Sequence, residues 1–447
     1  MSIDEKAKSF AINAHAGQVR KSEKEKPMII HPINTANILK EYGFDANVVA
    51  AGYLHDVVED TKYTIDDIEK EFGEDIKSLV DGNTEPDKSL SWEERKEHTI
   101  TRVKDLDIRH KAVVCADKIS NLEDLMILFE KQGKYDFSSF KRGYDKQKWY
   151  HENVYKSLVN NEDENNPMFI RYKKLIDHIF NNAKEDEFIK DTIFEDNIDE
   201  YNKLLKLHYR KNELSKLKSI LHMNPYVIEF TGTPRTGKTT LMNNLNDFFK
   251  KGGFKVITLE EFTTSDKYKK EIYPTLKDQS KSEINTQIPK YVLSQLEDAL
   301  KQDVDIIMID RSLVDRMIWV DRLYLKDEFK KEEYEEYIST YIPIIKEKID
   351  TIIATYADSM TSLKRDYFAN LSLEKRNFLN IQNIEEYNTS LKNIEKLSSK
   401  NDINLHLIDT SDKNQRDISI MITEDILSDM RDKYIKQLQL EFNKEII

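Results

Sequence analysis

Apolar residues recur at helical spacing along the first part of the chain. Between residues 167 and 180, large apolar side chains fall three or four positions apart, which places them on one face of a helix. A polar loop, NNEDENNP at 160–167, separates this segment from the helical pattern before it. The pattern predicts an all-α domain over residues 1–182 and a charged helical connector over residues 183–223.

From Tyr226 onwards, short apolar runs alternate with long helical stretches. Such alternation indicates parallel strands joined by crossover helices, because parallel strands need long connections. The runs are VIEF (227–230), VITL (256–259), IIMI (306–309), TIIATY (351–356) and LHLI (405–408). The sequence therefore predicts a multidomain protein in which an α/β domain over residues 224–447 follows the all-α domain.

Length and charge narrow the class of protein. The chain has 447 residues, too many for one ordinary core, and a net charge of −13, which argues against general nucleic-acid or acidic-membrane binding. No signal peptide and no run of about 18 apolar residues is present, so no membrane partner is expected. The single cysteine, Cys115, excludes an intramolecular disulfide and suits the cytoplasm. Whether the protein forms a homo-oligomer is left open by the sequence.

Residues of the metal-binding type occur in three apolar segments of the N-terminal half. His31 lies in PMIIHP, His55 and Asp56 in YLHDVVEDT, and Asp117 in VVCADKISN. Taken singly, each has an ordinary explanation as a packed histidine, a helix cap or a surface acid. Their order and spacing are together typical of HD-superfamily hydrolases. Two imidazoles and two carboxylates suit Mn²⁺, with Fe²⁺ or Zn²⁺ as alternatives.

Two further acids follow the His-Asp pair. If His55 and Asp56 are neighbours on one helix, Glu59 and Asp60 lie one turn further along the same face, each four residues on. Acids at this distance could position or deprotonate the attacking water, which makes Glu59 and Asp60 candidate catalytic residues.

Four long segments resemble the hydrolase domain of RelA/SpoT-like enzymes over about residues 4–130. They are AHAGQVRK (14–21), IIHPINTANIL (29–39), VAAGYLHDVVEDT (49–61) and FGEDIKSLVDGNTE (72–85). Enzymes of that family remove the 3′-pyrophosphate of guanosine tetra- and pentaphosphate with Mn²⁺. The resemblance implies that His31, His55, Asp56 and Asp117 are the metal ligands and that Glu59 and Asp60 handle the water.

The same resemblance implies a substrate-binding set. Arg20 and Lys21 match a basic pair beside the nucleoside, and Asn121 matches the polar residue four positions after the last ligand. The preceding loop, KSEKEKPM (21–28), departs from the family pattern, since it has Met28 where Tyr is usual and lacks a Gly. Another phosphorylated nucleotide, such as NADPH, therefore remains an alternative substrate.

The second domain begins with a phosphate-binding motif. Gly232, Gly237, Lys238 and Thr239 form Gly-x4-Gly-Lys-Thr between the strand VIEF and a predicted helix. In a P-loop the backbone N–H groups cradle the phosphates, the lysine reaches the β and γ oxygens, and the hydroxyl binds Mg²⁺. We expect these residues and Thr240 to bind ATP with Mg²⁺.

Acids and arginines at later strand ends resemble those of deoxynucleoside and thymidylate kinases. Glu260 and Glu261 follow VITL, and Asp310 and Arg311 follow IIMI. The resemblance implies that Glu261 contacts the acceptor hydroxyl, that Asp310 binds Mg²⁺ or its water, and that Arg311 binds substrate. Simple helix-start acids are the alternative for the Glu pair.

A basic segment at residues 361–376 resembles the arginine-bearing lid of the same kinases. It contains Lys364, Arg365 and Arg376, of which Arg365 is our candidate for substrate binding. A solvated helix face is the alternative explanation. The sequence thus predicts two enzymes acting on small-molecule nucleotides, a hydrolase and a kinase. In a competing hypothesis, the P-loop domain is a nucleotide sensor that regulates the hydrolase.

Overall fold

The computed structural model describes residues 1–20, 25–84, 89–132, 137, 142–181, 197–370 and 379–442. Backbone contacts divide the chain into two compact units. The first unit comprises Met1–His222 together with Arg431–Ile447, and the second comprises Met223–Met430. Among the described residues, no helix combines the length and the apolar character needed to cross a bilayer.

The first unit is built of helices. In chain order they are α1 (Ile3–Ala14), α2 (Ile30–Glu41), α3 (Ala46–Leu54), α4 (Val57–Asp60), α5 (Ile65–Phe72), α6 (Glu74–Asn83), α7 (Trp92–Lys104), α8 (Ile108–Gln132), α9 (Gly143–Leu158), α10 (Pro167–Asn181) and α11 (Ile198–Ile220). An isolated antiparallel bridge joins Val19 to Pro27. The predicted all-α character of the N-terminal part is confirmed.

Three helices of this unit, α2, α3 and α8, carry the histidines and acids of interest or lead directly to them. Most of α2 and the second half of α3 are buried, so their polar side chains are enclosed by apolar neighbours. The start of α3 is fixed by Asp45, whose carboxylate accepts hydrogen bonds from the backbone N–H groups of Asn47 and Val48.

One local prediction about this region is wrong. His55 and Asp56 do not lie within a single helix, because α3 ends at Leu54 and α4 begins at Val57. The Nδ1 atom of His55 lies 2.9 Å from the carbonyl oxygen of Gly52, the acceptor that a continuing helix would offer to the amide of Asp56. The pair therefore occupies the turn between two helices.

The second unit is a parallel five-stranded sheet flanked by helices, as predicted. Its elements are β1 (Tyr226–Gly232), α12 (Lys238–Lys251), β2 (Val256–Leu259), α13 (Tyr273–Leu276), α14 (Lys281–Leu300), β3 (Ile306–Asp310), α15 (Leu313–Leu325), α16 (Lys331–Lys348), β4 (Thr351–Tyr356), α17 (Ser359–Asn370), α18 (Ile381–Lys400), β5 (Leu405–Asp409) and α19 (Gln415–Phe442). Short 3₁₀ and π turns occupy Phe262–Thr264 and Tyr268–Ile272. Helix α19 supplies residues to both units, with the division between Met430 and Arg431.

The order of the strands is β2-β3-β1-β4-β5, which places β1 at the centre. Phe230 of β1 pairs with Asp310 of β3, and Gly232 pairs with Thr355 of β4. Strands β2 and β3 lie on one side of β1 and strands β4 and β5 on the other, so the strand order reverses at β1 and a crevice is expected at the carboxyl ends of β1, β3 and β4. Open parallel sheets bind their ligands at such points.

Candidate functional site

Two buried histidines of the first unit face each other. The Nε2 atoms of His31 and His55 lie 3.2 Å apart. Their Nδ1 atoms point away, to the hydroxyl of Ser120 at 3.1 Å and the carbonyl of Gly52 at 2.9 Å. A proton on each Nδ1 satisfies both contacts and directs the two Nε2 lone pairs into the same space, the usual arrangement of metal-binding histidines.

Two carboxylates border the same space. The Oδ1 atom of Asp117 lies 3.1 Å from Nε2 of His31 and 3.7 Å from Nε2 of His55. Asp56 approaches both rings, at 3.6 Å from His31 and 3.2 Å from His55. The four predicted metal-type residues are thus brought together, and His31, His55 and Asp117 offer ligand atoms within 4.8 Å of one another.

The charge balance of this cluster favours a cation. Burial lowers the pKa of His31, whereas the pKa of His55 rises to about 9 because the adjacent carboxylates outweigh its burial. Burial alone would raise the pKa of Asp117, but Lys118 and the two imidazoles hold it far below its usual range. Anionic oxygens and inward-facing imidazoles fit a divalent ion with nitrogen and oxygen ligands.

The two predicted water-handling acids differ in exposure. Glu59 is half-buried on α4, while Asp60 is exposed at the end of that short helix. The carbonyl oxygen of Asp60 accepts a hydrogen bond of 2.8 Å from the side chain of Gln18. This contact ties the turn that carries both acids to the segment before Arg20.

A cavity of about 320 Å³ lies beside the metal-type cluster. Its lining includes the predicted substrate residues Arg20 and Asn121, and the side-chain amide of Asn121 donates to Asp117 at 2.7 Å. Sequence reasoning missed the aromatic and basic side chains that complete this lining. They are Trp92, Lys96, Lys118, Tyr150 and His151. Lys21, the other predicted basic residue, lies outside the described residues.

The missed lining residues combine cations with aromatic faces. The ammonium groups of Lys96 and Lys118 lie 4.7 and 5.7 Å from the ring centre of Tyr150. His151 is uncharged at neutral pH, because burial and the nearby lysines lower its pKa to about 3. Such a pocket suits an anionic ligand with a planar base. Lys118 directly follows Asp117 in sequence, but the other residues gave no local signal.

In the second unit, the glycine-rich segment after β1 forms a tight loop before α12. The amide of Thr233 donates to the carbonyl of Thr355 at 2.9 Å, and the hydroxyl of Thr236 lies 2.7 Å from that of Thr355. Gly237 adopts a left-handed conformation, with φ of 85°, immediately before Lys238 opens the helix. Thr239 and Thr240 are exposed in its first turn. This is the backbone arrangement of a phosphate-binding loop.

Lys238 and Asp310 contact each other at the carboxyl ends of β1 and β3. Their side chains are 11% and 18% exposed, so the pair is accessible but largely enclosed. Burial lowers the pKa of Lys238, with nearby Arg311 acting in the same direction. A phosphate would compete with Asp310 for this lysine, and Asp310 would then be available to Mg²⁺.

Arg311 links the predicted acceptor acid to the phosphate-binding loop. Its guanidinium lies 3.5 Å from the carboxylate of Glu261 and donates to the carbonyl of Gly232 at 2.9 Å. Glu260 is exposed, whereas Glu261, the acid chosen from the sequence, is half-buried beside Arg311. Asp315, four residues further on, accepts a hydrogen bond of 2.7 Å from Arg311. This i,i+4 spacing was the available signal for Asp315.

A buried carboxylate fixes the turn that presents Arg311. Glu229 of β1 accepts hydrogen bonds of 2.8 to 3.1 Å from the backbone N–H groups of Ser312, Val314 and Asp315. Burial raises the pKa of Glu229 to about 7 despite these bonds. Arg311 itself has a φ of 57°, a left-handed conformation that costs about 1–2 kcal/mol in a residue with a side chain.

The predicted lid arginine is held by the segment after β5. Arg365 on α17 donates to the hydroxyl of Thr410 at 3.1 Å and to its carbonyl at 2.6 Å. Lys364 lies on the same helix, and Arg376 lies outside the described residues. Another arginine, Arg235 of the phosphate-binding loop, pairs with Asp366 at 2.7 Å. Sequence reasoning did not single out Arg235.

The two units match different family models. A model described as an HD domain matches residues 7–136, and one described as an AAA domain matches residues 227–351. The guanosine-3′,5′-bis(diphosphate) 3′-pyrophosphohydrolase MESH1 of Xenopus tropicalis is 40% identical over 121 residues, which are 27% of this chain and 67% of that protein.

The chain spans a small part of some longer relatives. A probable guanosine-3′,5′-bis(diphosphate) 3′-pyrophosphohydrolase of Synechocystis sp. is 41% identical over 130 residues, which are 28% of this chain and only 17% of that protein.

Among solved structures, the deoxyadenosine kinase of M. mycoides with bound dATP matches with 20% identity and a TM-score of 0.32, covering 45% of this chain and 99% of that one.

Proposed function

The chain belongs to the family of HD-domain hydrolases that includes the MESH1 proteins, and we propose that its first unit is a guanosine-3′,5′-bis(diphosphate) 3′-pyrophosphohydrolase. The observation that carries this proposal is the convergence of His31, His55, Asp56 and Asp117 beside a cavity lined by cations and aromatic rings. We place the hydrolase domain within residues 1–182 and its reaction in the cytoplasm.

The four converging residues would hold the metal ion, for which we propose Mn²⁺. When bound, the ion supplies positive charge beside the phosphoryl group and makes water more acidic. Glu59 accepts the proton of the attacking water, and Asp60 at the end of the same helix orients that water. The oxygen of water bonds to the phosphorus that carries the 3′ oxygen, and the bond between that phosphorus and the 3′ oxygen breaks. The 3′ oxygen takes up a proton and becomes the 3′ hydroxyl of the nucleoside 5′-diphosphate, while pyrophosphate is released with the oxygen of water.

The cavity residues bind the substrate in this proposal. Arg20 and Lys96 neutralise the phosphates, and Asn121 donates a hydrogen bond from the same helix as Asp117. From its place in the sequence, we propose that Lys21 also contributes charge to phosphate binding. Trp92 and Tyr150 offer aromatic faces to the base. NADPH is the alternative substrate.

Asp56→Ala in the full chain tests the metal-dependent hydrolysis. We expect the variant to lose bound Mn²⁺ and hydrolysis of guanosine-3′,5′-bis(diphosphate) while the second unit still binds ATP. Metal content measured by mass spectrometry and release of pyrophosphate are the two readouts. Full hydrolysis by Asp56→Ala would refute the assignment, and turnover of NADPH alone by the wild type would select the alternative substrate.

For the second unit, Met223–Met430, we propose an ATP-dependent kinase for a nucleoside or nucleotide. The contacts of Arg311 with Glu261 and with the phosphate-binding loop support this proposal. They place the acid proposed to contact the acceptor hydroxyl close to the loop proposed to hold the phosphates of ATP. Mg²⁺ would accompany ATP at Thr239 and Asp310.

Lys238→Ala distinguishes the kinase from a nucleotide sensor. We expect the variant to lose phosphoryl transfer to nucleosides and nucleotides while hydrolysis by the full chain is unchanged with and without ATP. If ATP alters hydrolysis by the wild type and Lys238→Ala removes that effect, the second unit acts as a sensor. No transfer to any acceptor by the wild type would contradict the kinase.

A further inference from the structure

The predicted substrate residue Arg20 lies on a hairpin that approaches the cavity. The amide of Arg20 donates to the carbonyl of Lys26 at 2.9 Å, and the amide of Met28 donates to the carbonyl of Gln18 at 2.9 Å. The guanidinium of Arg20 is held on its other side by Asp124 of α8, at 3.0 Å. The orientation of Arg20 therefore depends on whatever fixes this hairpin.

A buried carboxylate of α11 contacts the returning arm of the hairpin. Glu213 is 2% exposed, and its Oε1 atom lies 3.5 Å from the ammonium group of Lys26, which is itself buried. The same oxygen accepts a hydrogen bond of 3.0 Å from Nε of Arg431. A buried carboxylate between two cations is held in place, because moving it away would leave buried charges without a partner.

Arg431 also contacts the hairpin directly, at Glu25. Its Nη2 atom lies 3.0 Å from the carboxylate of Glu25, while Gln439, two turns further along α19, donates to the carbonyl of Glu25 at 2.6 Å. The guanidinium of Arg431 thus joins α11 to the hairpin through two separate carboxylates. Neither α11 nor this part of α19 falls within residues 7–136, the stretch that matches the HD domain.

Asp124, which pairs with Arg20, also lies close to a lysine of α11. Lys216 lies 3.7 Å from Oδ1 of Asp124, whose Oδ2 faces Arg20. Burial would raise the pKa of Asp124, but Lys216, Lys26 and Arg20 together lower it to about 2. Asp124 is therefore a fixed anion between Arg20 and α11.

From these contacts we propose that Arg431 and Glu213 are positioning residues of the hydrolase, which clamp the paired segments 18–20 and 25–28 and so orient Arg20 towards the phosphates of the substrate. The proposal rests on the hydrolase assigned above. The described contacts of Arg431 and Glu213 lead to Glu25 and Lys26, so we expect the clamp to act mainly on substrate binding.

Hydrogen–deuterium exchange of the full chain tests the clamp without any substrate. We expect the amides of Arg20 and Met28 to exchange roughly tenfold faster in Arg431→Met, as for the loss of hydrogen bonds to charged groups. Lys436→Met, an exposed position on the same helix, is the matched control. Arg431→Lys, which keeps the charge, should restore much of the protection. Unchanged exchange in Arg431→Met would overturn the clamp, whether or not the protein hydrolyses a nucleotide.

Steady-state hydrolysis tests the positioning role. We expect Arg431→Met to raise KM for guanosine-3′,5′-bis(diphosphate) by roughly tenfold with kcat and bound Mn²⁺ nearly unchanged. Faster exchange without a rise in KM would overturn the positioning role, since the contacts would then only brace the fold. A wild type that hydrolyses no nucleotide would contradict the proposed function alone, and the exchange measurement would still decide the clamp.

Discussion

Substituting alanine at three glycines of the second unit can separate two causes of lost stability, backbone strain and steric overlap of the added methyl group. Gly232, Gly237 and Gly253 all have positive φ, at 136°, 85° and 76°. At Gly253 a Cβ atom would meet nothing within 4 Å. Gly253→Ala should therefore cost only the conformational term, about 1–2 kcal/mol.

The other two positions add different steric terms. At Gly237 the Cβ atom would lie 2.1 Å from Oε1 of Gln415, a flexible side-chain end that can turn away. At Gly232 it would lie 1.9 Å from the carbonyl oxygen of Thr355, within the sheet backbone. Strands β1 and β4 would have to separate there and lose the bond from Thr233 to Thr355, which adds about 1 kcal/mol to a backbone strain of about 1–3 kcal/mol.

We therefore expect Gly232→Ala to destabilise the second unit by about 2–4 kcal/mol, against about 1–2 kcal/mol for Gly237→Ala. The assay is denaturant unfolding followed by fluorescence of Trp319, with Trp92 and Trp149 of the first unit replaced by Phe. Equal destabilisation by all three substitutions would refute the reasoning, because backbone crowding at Gly232 would then contribute nothing.

Three other predictions concern the proposed reactions. Glu59→Gln cannot accept a proton, so we expect hydrolysis to fall by about two to four orders of magnitude with metal still bound, as measured by turnover and metal analysis. Glu261→Gln should slow phosphoryl transfer by at least about 100-fold without weakening ATP binding, whereas Glu260→Gln should not slow it, because Glu260 is exposed and Glu261 pairs with an arginine. With metal present at 100 times its Kd, the unfolding free energy of the first unit should be about 2.7 kcal/mol higher than with a chelator. Calorimetry of Asp56→Ala should show no such difference between the two conditions.

Each of these predictions has a clear contradicting result. Loss of metal in Glu59→Gln would make that residue a ligand. Transfer rates that fall equally in Glu260→Gln and Glu261→Gln would remove the distinction between them. A chelator effect of equal size in the wild type and in Asp56→Ala would mean that the stabilising metal binds elsewhere.

The elements of both units were predictable from sequence because their signals are local. Each of the five apolar runs became a strand. VITL and TIIATY match their strands at both ends, whereas the strands that contain VIEF, IIMI and LHLI extend further, to Gly232, Asp310 and Asp409. The helical prediction failed at His55, where a side chain takes the carbonyl that the next amide would have used. Such competition depends on the rotamer of one histidine, which periodicity does not reveal.

The candidate sites were predictable only where a motif spans adjacent positions. The motif residues His31, Lys238 and Asp310 could be chosen from their neighbours in sequence. Tyr150, which lines the cavity, and Arg431, which holds the hairpin, come from distant parts of the chain. Their roles follow from tertiary packing alone.

The first unit is discontinuous, and this has a consequence during protein synthesis. Its last stretch, from Arg431 onwards, is separated from its first by the whole second unit of about two hundred residues. At a translation rate of about 5–20 residues per second, those residues take roughly 10–40 s to make. Until then the nascent first unit lacks Arg431, one of the two cations described beside Glu213.

The order of synthesis thus couples the two activities in time. If the hairpin needs Arg431 to hold Arg20, a growing chain still attached to the ribosome binds its nucleotide weakly, however early its metal cluster assembles. Full affinity arises only after the ribosome has finished the entire second unit. Every fully competent hydrolase is then accompanied by a complete phosphate-binding domain, and early termination of translation yields neither.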